Sequence, residues 1–300
     1  MRGAEEAAMS QWNGVAGKQV LMTGATNGIG LAAAEELARR GAKLAIVARS
    51  EQRAQAAVAE ISKAAGGSAE VQVLNADLAL QSSVRTLAQE ALSRLPRIDV
   101  LINNAGAMFT ERQLTAEGFE QTWALNQLAP FLLTNLLIDR LKESAPARVI
   151  TTSSDAHKGS RIPFDDLGAE RSYGKLGFER YGQTKLANIL FTAELSKRLQ
   201  GTGVGAYCFH PGLVASGFNR NNGALMGLAM VAIKPFSRST ERGARTLVWL
   251  ADTPEIDGDG GYFVDEKLGR PTRAAQDMEA AAKLWEVSEQ QTGLAEPALG

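Results

Sequence analysis

The sequence predicts an open α/β fold: a doubly wound parallel sheet of about seven strands with helices on both faces, in one domain over residues 1–300. Three observations predict it. Short apolar runs alternate with helix-patterned segments along the first hundred residues. A glycine-rich turn follows the first run. Gly24, Asp77 and Asn103 then stand at the ends of three of the first four predicted strands, the edge where open α/β sheets bind ligands.

The first apolar run, 18–22, ends in Thr23-Gly24-Ala25-Thr26-Asn27-Gly28-Ile29-Gly30, and the segment LAAAEELARR behind it reads as a helix stopped by Gly41. Strand, glycine turn and helix together predict a phosphate-binding turn. Glycines let the backbone approach a pyrophosphate, and a helix N-terminus offers free N–H groups. The spacing is GxxxGxG, not the GxGxxG of the common dinucleotide fingerprint. The second strand, 44–47, is followed by Arg49 and a helix over 51–65. Gly66-Gly67 turns the chain into a third strand, 70–74, ahead of Asp77-Leu78. A helix near 82–94 leads to strand 98–102, capped by Asn103-Asn104-Ala105-Gly106. Right-handed crossovers place all these strand ends on one edge.

Residues 117–142 read as one long helix that contains Asn126 and has Pro130 inside its pattern. Strand 148–152 ends in Ser153-Ser154-Asp155-Ala156-His157. The polar stretch 158–178, broken by Gly and Pro, reads as a surface excursion. Strand 204–209, with Cys208 inside it, ends in His210-Pro211-Gly212. Residues 213–238 form a candidate substrate lid, with a Gly/Asn-rich lead and a Leu/Met/Ala-rich body. A helix over 240–250, a strand over 261–264 and a helix around 278–290 complete the chain, with Leu284 and Trp285 as packing residues. Residues 1–16 form an N-terminal extension.

The chemistry centres on Tyr181-Gly-Gln-Thr-Lys185, which opens an apolar-rich segment free of Gly and Pro from 184 to 199. On a helix, positions i and i+4 share a face, so the phenol and the ammonium point the same way. A free tyrosine has a pKa of about 10, and a fixed cation beside it favours the phenolate. Such a pair can exchange a proton with an alcohol or a carbonyl. Taken alone the spacing also fits a solvated Tyr and Lys. Of the four tyrosines, only Tyr181 has a lysine four residues on.

Composition narrows the alternatives. With 32 basic and 33 acidic residues the net charge is −1, which points away from nucleic acid and from anionic membranes. The acidic N-terminus lacks the apolar core of a signal peptide, and no stretch reaches the ~18 apolar residues of a membrane span. One cysteine excludes a disulfide within the chain and fits a reducing compartment, so the expectation is a cytoplasmic protein without stable membrane insertion. His157 and His210 have no partner at metal-ligand spacing, and no metal is assigned.

Taken together, the ordered motifs TGATNGIG, Asp77, NNAG (103–106), Asn126, Tyr181 with Lys185, and Pro211-Gly212 resemble those of the short-chain dehydrogenases/reductases, over residues 17–294. ALNQLAPFLLT, SSDAH, FDDL, YGQTKLANILF and HPGLV are similar to the retinol dehydrogenase and protochlorophyllide reductase branch. The resemblance implies a Rossmann fold and an oxidoreductase. Tyr181 would exchange the proton, Ser154 (with Ser153 as the alternative) would bond the substrate oxygen, Lys185 would hold the nicotinamide ribose and lower the phenol's pKa, and Asn126 would position a water. It also implies cofactor contacts at Gly24, Thr26, Asn27, Gly28, Ile29, Gly30, Asp77, Leu78, Asn104, Ala105, Gly106, Tyr181, Lys185, Pro211 and Gly212.

The second strand ends Ala48-Arg49-Ser50, with Ala48 where the family resemblance puts an NAD-selecting acid. A guanidinium there fits a 2′-phosphate, so the expected cofactor is NADP(H). The expected substrate is a lipophilic alcohol, aldehyde or ketone. A carbon–carbon double-bond reductase and a non-catalytic NADP(H)-binding sensor or scaffold are the alternatives. Homo-oligomers through the helices at 117–142 and 181–200 are compatible with the resemblance.

Overall fold

The computed structural model describes residues 12–214 and 237–294, so the predicted lid lies, apart from its ends, outside the described residues. Strands β1 (Gln19–Thr23), β2 (Lys43–Ala48), β3 (Val71–Asn75), β4 (Val100–Asn103), β5 (Ala147–Thr152), β6 (Val204–His210) and β7 (Tyr262–Val264) are parallel, in the order β3-β2-β1-β4-β5-β6-β7. Among the described residues the sheet has one strand beyond the seven expected, β8 (Lys267–Leu268), antiparallel to β7. Asp265 and Glu266, at φ 49° and 63°, make the two-residue turn that folds it back. Met22 of β1 lies opposite Ile46 of β2 on one side and Ile102 of β4 on the other. The winding therefore reverses between β1 and β4, the point where such sheets hold ligands.

Helices cover both faces. Leu37 of α1 (Gly28–Arg39), Ile61 of α2 (Glu51–Ala64) and Leu247 of α8 (Thr240–Asp252) share one core cluster. The opposite face buries Leu87 of α3 (Gln81–Arg94), Phe131 of α5 (Ala129–Leu136), Phe191 of α7 (Phe178–Arg198) and Trp285 of α9 (Met278–Thr292). The Trp285 ring lies 4.9 Å from Phe131 and 5.9 Å from Phe191, which docks the C-terminal helix on the core. Cys208 is buried in β6, and Leu284 and Trp285 pack as expected.

Two expectations need correction. Trp12 and Val15, assigned to an N-terminal extension, are buried in the core: Arg148 lies 4.2 Å over the Trp12 ring, and Val15 N donates to Asp252 Oδ1 at 2.9 Å. An indole and a branched apolar side chain gain too much from burial to stay in water. The long helix expected over 117–142 is also not continuous. It starts as a single turn, α4 (Gln121–Trp123), where the Glu120 carboxylate accepts from Thr122 N (2.7 Å) and Trp123 N (2.9 Å). It then widens through Ala124–Leu128, with Ala129 N bonded back to Ala124 O, and breaks at Leu137 between α5 and α6 (Ile138–Glu143). Pro130 has no N–H to give to the Asn126 carbonyl, so regular α-helical bonding fails at that point.

Candidate active site

The turn after β1 and the loop after β4 are built as one unit. The Thr23 hydroxyl accepts from Asn104 N (3.0 Å) and Ala105 N (3.1 Å) and donates to Ile102 O (3.2 Å). Asn104 Nδ2 donates to Gly24 O at 3.0 Å, and its Oδ1 accepts from Thr152 Oγ1 of β5 at 3.1 Å. This closeness explains the glycines. A Cβ on Gly24 (φ 68°) would lie 2.8 Å from Ala105 N, and one on Gly30 would lie 2.0 Å from Gly24 O. Helix α1 starts at Gly28 behind Asn27, whose side chain makes no capping bond, so the first N–H groups of the helix have no side-chain cap. Thr26 and Ile29 are half-buried and Asn27 is exposed.

Further along the same edge, Ala48 ends β2 buried, and Arg49 follows it with its side chain 67% exposed. Arg49 Nη1 lies 3.9 Å from Asp77 Oδ2, while Asp77 Oδ1 accepts from Ala79 N at 3.1 Å. Leu78 borders a small cleft with Ala105, Leu125 and Pro130. At the other end, Pro211-Gly212 follows β6. Arg238 N donates to Leu213 O at 2.7 Å, which joins the two ends of the segment 215–236. All the predicted cofactor residues therefore fall at the C-terminal edge of the sheet.

The predicted catalytic residues meet beside the β5 end. Ser154 bonds the Tyr181 phenol through its side chain, and its Oγ also accepts from Ala156 N at 3.2 Å. Ser153 is fully buried, and its hydroxyl donates to Lys185 O at 2.7 Å. Lys185 Nζ lies 5.4 Å from the Tyr181 ring centroid, donates to Thr152 O at 3.0 Å, and lies 3.4 Å from the position of a Cβ on Gly106. The Asn126 side chain is fully committed. Its Oδ1 accepts from Ala107 N (2.9 Å), and its Nδ2 donates to Ala107 O (2.8 Å) and Thr184 Oγ1 (3.0 Å).

The expectation that the ammonium lowers the phenol's pKa is not met. Burial pushes the half-buried Tyr181 phenol well above the usual tyrosine range, with the Ser154 bond opposing. Burial draws Lys185 down to about 8, against a weaker pull from Cys208. The lysine proton is directed at the Thr152 carbonyl, and desolvation is the larger influence on the phenol. At neutral pH both groups hold their protons.

Several supporting residues carry no sequence signal of their own. Asn188 Nδ2 donates to Thr152 O at 3.0 Å beside Lys185; only its i+3 spacing from the lysine hints at a shared face. His157 Nδ1 lies 2.7 Å from Ser154 O, and a carbonyl only accepts, so the ring carries its proton on Nδ1. His210 Nδ1 accepts from Asp155 N at 3.1 Å. Burial lowers both histidines and keeps them neutral, so they hold the Ser154-Asp155 backbone from two sides. Among the described residues no group of three or more His, Cys, Asp or Glu is placed to hold a metal ion, and no helix is long and apolar enough to cross a membrane.

The family model described as short chain dehydrogenase matches residues 18–225. Retinol dehydrogenase 12 of Mus musculus is 43% identical over 275 residues, covering 91% of this chain and 86% of its own length. The crystal structure of an uncharacterized protein from Mycobacterium Paratuberculosis aligns with a TM-score of 0.75 and 33% identity, covering 94% of this chain and 96% of that one. The Pseudomonas aeruginosa RhlG/NADP active-site complex aligns with a TM-score of 0.67 and 27% identity, covering 84% and 96%.

The burial of Lys185 generates a stability prediction. Its value in the folded protein, about 8, lies below the ordinary 10.5, so the charged form is disfavoured by on the order of 3 kcal/mol. Lys185→Met removes that cost and leaves Thr152 O bonded to Asn188. At pH 7 the variant is expected to melt a few degrees above wild type. Because the cost is full below pH 8 and vanishes as pH rises to 10.5, the gap should close across that window. Thermal melts of the two proteins at pH 7 and pH 10 check this; a variant that melts below wild type at pH 7 refutes it.

Proposed function

The chain belongs to the short chain dehydrogenase family, and we propose that within it the protein is an NADP(H)-dependent oxidoreductase interconverting a lipophilic alcohol with its aldehyde or ketone. The observation that carries this reading is the Ser154–Tyr181 hydroxyl pair next to the buried Lys185, on the sheet edge that also bears the glycine turn.

The residues present fit such a cofactor. Gly24, Thr26, Asn27, Gly28, Ile29 and Gly30 offer open backbone and a helix N-terminus to phosphates. Arg49 would meet a 2′-phosphate, Asp77 and Leu78 would hold the adenine side, and Asn104, Ala105, Gly106, Pro211, Gly212 and Lys185 would hold the nicotinamide half. When bound, NADP(H) supplies or accepts the hydride. Tyr181, which keeps its proton at neutral pH, donates it to the carbonyl oxygen, and takes one from the alcohol in reverse. Ser154, not Ser153, bonds the same oxygen, because the Ser153 hydroxyl is already used at Lys185 O. The phenolate oxygen regains its proton from solvent, relayed past the Lys185 ammonium. Since the Asn126 side chain is committed to Ala107 and Thr184, its carbonyl, which Pro130 cannot serve, holds the relay water.

Three exposed apolar side chains, Leu176, Phe178 and Leu213, support a lipophilic substrate. Phe178 lies one turn before Tyr181, so the two share a helix face. Leu176 is held at φ 51°, a conformation non-glycine residues rarely adopt and one that clusters at functional sites.

The central test is an NADPH-oxidation screen against lipophilic aldehydes, ketones and quinones. Tyr181→Phe is expected to abolish turnover and leave NADPH affinity nearly unchanged. A variant that still turns over, or that loses the cofactor instead, contradicts the assignment.

For cofactor choice, charge-assisted bonds from Arg49 contribute about 1.5–3 kcal/mol, roughly a ten- to hundredfold preference for NADPH. Comparing kcat/KM for NADPH and NADH, we expect wild type to favour NADPH, Arg49→Ala to lose the preference and Ala48→Asp to reverse it. A wild type that prefers NADH overturns this assignment.

For the substrate, Leu176→Ser combined with Phe178→Ser should lower kcat/KM for a long-chain aldehyde about tenfold relative to a short one. An unchanged chain-length profile would remove these residues from the substrate path.

A further inference from the structure

The Tyr181 helix begins with a fully buried ion pair that the chemistry above does not use. Arg180 and Glu120 are both 0% exposed at the side chain, with Arg180 Nε donating to Glu120 Oε2 at 2.6 Å. Taking two charges out of water is costly, and an apolar pair of similar volume often serves stability as well or better. What an ion pair adds is direction. Arg180 uses all three nitrogens of its planar fork: besides Nε, Nη1 donates to Gln183 Oε1 at 3.1 Å, Nη2 donates to Leu167 O, and the guanidinium lies 4.8 Å over the Trp123 ring. Glu120 is equally committed, as it caps α4 through Thr122 N and Trp123 N. Tyr173 completes the junction. Its hydroxyl lies 2.9 Å from Thr122 Oγ1 and donates to Phe109 O at 3.0 Å.

Four segments meet at this pair. Phe109 continues the loop that begins at Asn104, Glu120 starts the wide-turned helix that carries Asn126, Leu167 and Tyr173 belong to the excursion after Ser154, and Arg180 precedes Tyr181. We propose that the Arg180–Glu120 pair is a positioning clamp that sets the Tyr181 phenol against Ser154 and Asn126, and that neither residue touches substrate. This rests on the oxidoreductase reading above. The geometry gives the clamp leverage: a misplacement of about 1 Å at a reacting group can cost on the order of a hundredfold in rate. The turn at 24–30, where the cofactor's phosphates are proposed to sit, shares none of these bonds, so cofactor affinity should change far less than kcat when the clamp is altered.

The test compares wild type, Arg180→Lys and the double variant Arg180→Met/Glu120→Gln. The lysine keeps the charge opposite Glu120 but loses the fork. In the double variant both charges go while a capping oxygen stays. Expected is a graded fall in kcat, about threefold for Arg180→Lys and tenfold or more for the double variant, with the NADPH Kd within twofold across the series. Amide hydrogen exchange should quicken over 120–126 and 178–184 in the same order and stay unchanged over 24–30. A flat kcat across folded variants, or kcat and NADPH affinity falling together, overturns the clamp. If the double variant does not fold, Arg180→Lys against wild type decides by the same criteria. If wild type turns over no carbonyl, the oxidoreductase reading fails by itself and the exchange pattern still judges the clamp.

Discussion

The Thr23 hydroxyl makes the active edge one structure. Strand pairing between β1 and β4 ends at Met22–Ile102, and beyond it the two chains would part. The hydroxyl bridges that gap with three hydrogen bonds, to Ile102 O, Asn104 N and Ala105 N. Side-chain bonding thus extends the sheet for two more residues without a backbone ladder. The resulting closeness leaves no room for a Cβ at Gly24 or Gly30, so the turn presents backbone rather than side chain. Asn104 carries the same register on to Thr152, whose carbonyl receives Lys185. The glycine-turn end and the Tyr181–Lys185 end of the edge are therefore coupled through short, directional contacts.

Buried charges divide by how well they are served. Arg148, drawn down to about 10 by burial, donates to the carbonyls of Leu250, Thr253 and Pro254 and covers the Trp12 indole. That is a satisfied structural cation. Lys185, only 3% exposed, makes one hydrogen bond among the described residues, to Thr152 O, although an ammonium has three donors. A charge left under-served in the interior lowers stability, and proteins retain such groups where function requires them. The contrast sets the two cations apart more sharply than burial alone would.

What was legible in the sequence tracks the distance over which each residue acts. Gly24, Asp77 and Asn103 mark strand ends because turn chemistry is local, and Tyr181 and Lys185 share a face because helical spacing is local. Adjacent serines defeat this reasoning. Neighbours on an extended chain point to opposite sides, and nothing nearby tells which of Ser153 and Ser154 faces inward; the bond from Ser153 to Lys185 O, 32 residues on, does. Glu120 and Arg180 look like ordinary surface charges until the fold brings them together from 60 residues apart. Trp12 seemed part of an extension because its partner Asp252 is 240 residues away. The widened turn at 124–128 is signalled by Pro130, but the break at Leu137 and the Glu120 cap ahead of Gln121 are not. Two-residue β8 has too little pattern for any periodicity to register.

The legible half of the site and the illegible half do different work. A pyrophosphate has the same shape for every protein that binds one, so backbone turns and short motifs suffice, and those motifs can be read directly. The neighbourhood of the phenol is built instead from long-range side-chain contacts: the two histidines behind Ser154, Tyr173 on Phe109 O, and Arg180 reaching Leu167. Leu176 and Phe178 are displayed from that framework, and a Cβ on the glycine between them would lie 1.9 Å from Phe109 O. Gly177 is thus required by the packing of the excursion against the Phe109 loop, and this packing sets where the apolar rim stands relative to Tyr181. A chain that kept every cofactor motif but altered this junction would bind the same cofactor and present a different face to its substrate. The apolar rim beside Tyr181 is therefore set by the part of the structure that short motifs do not encode.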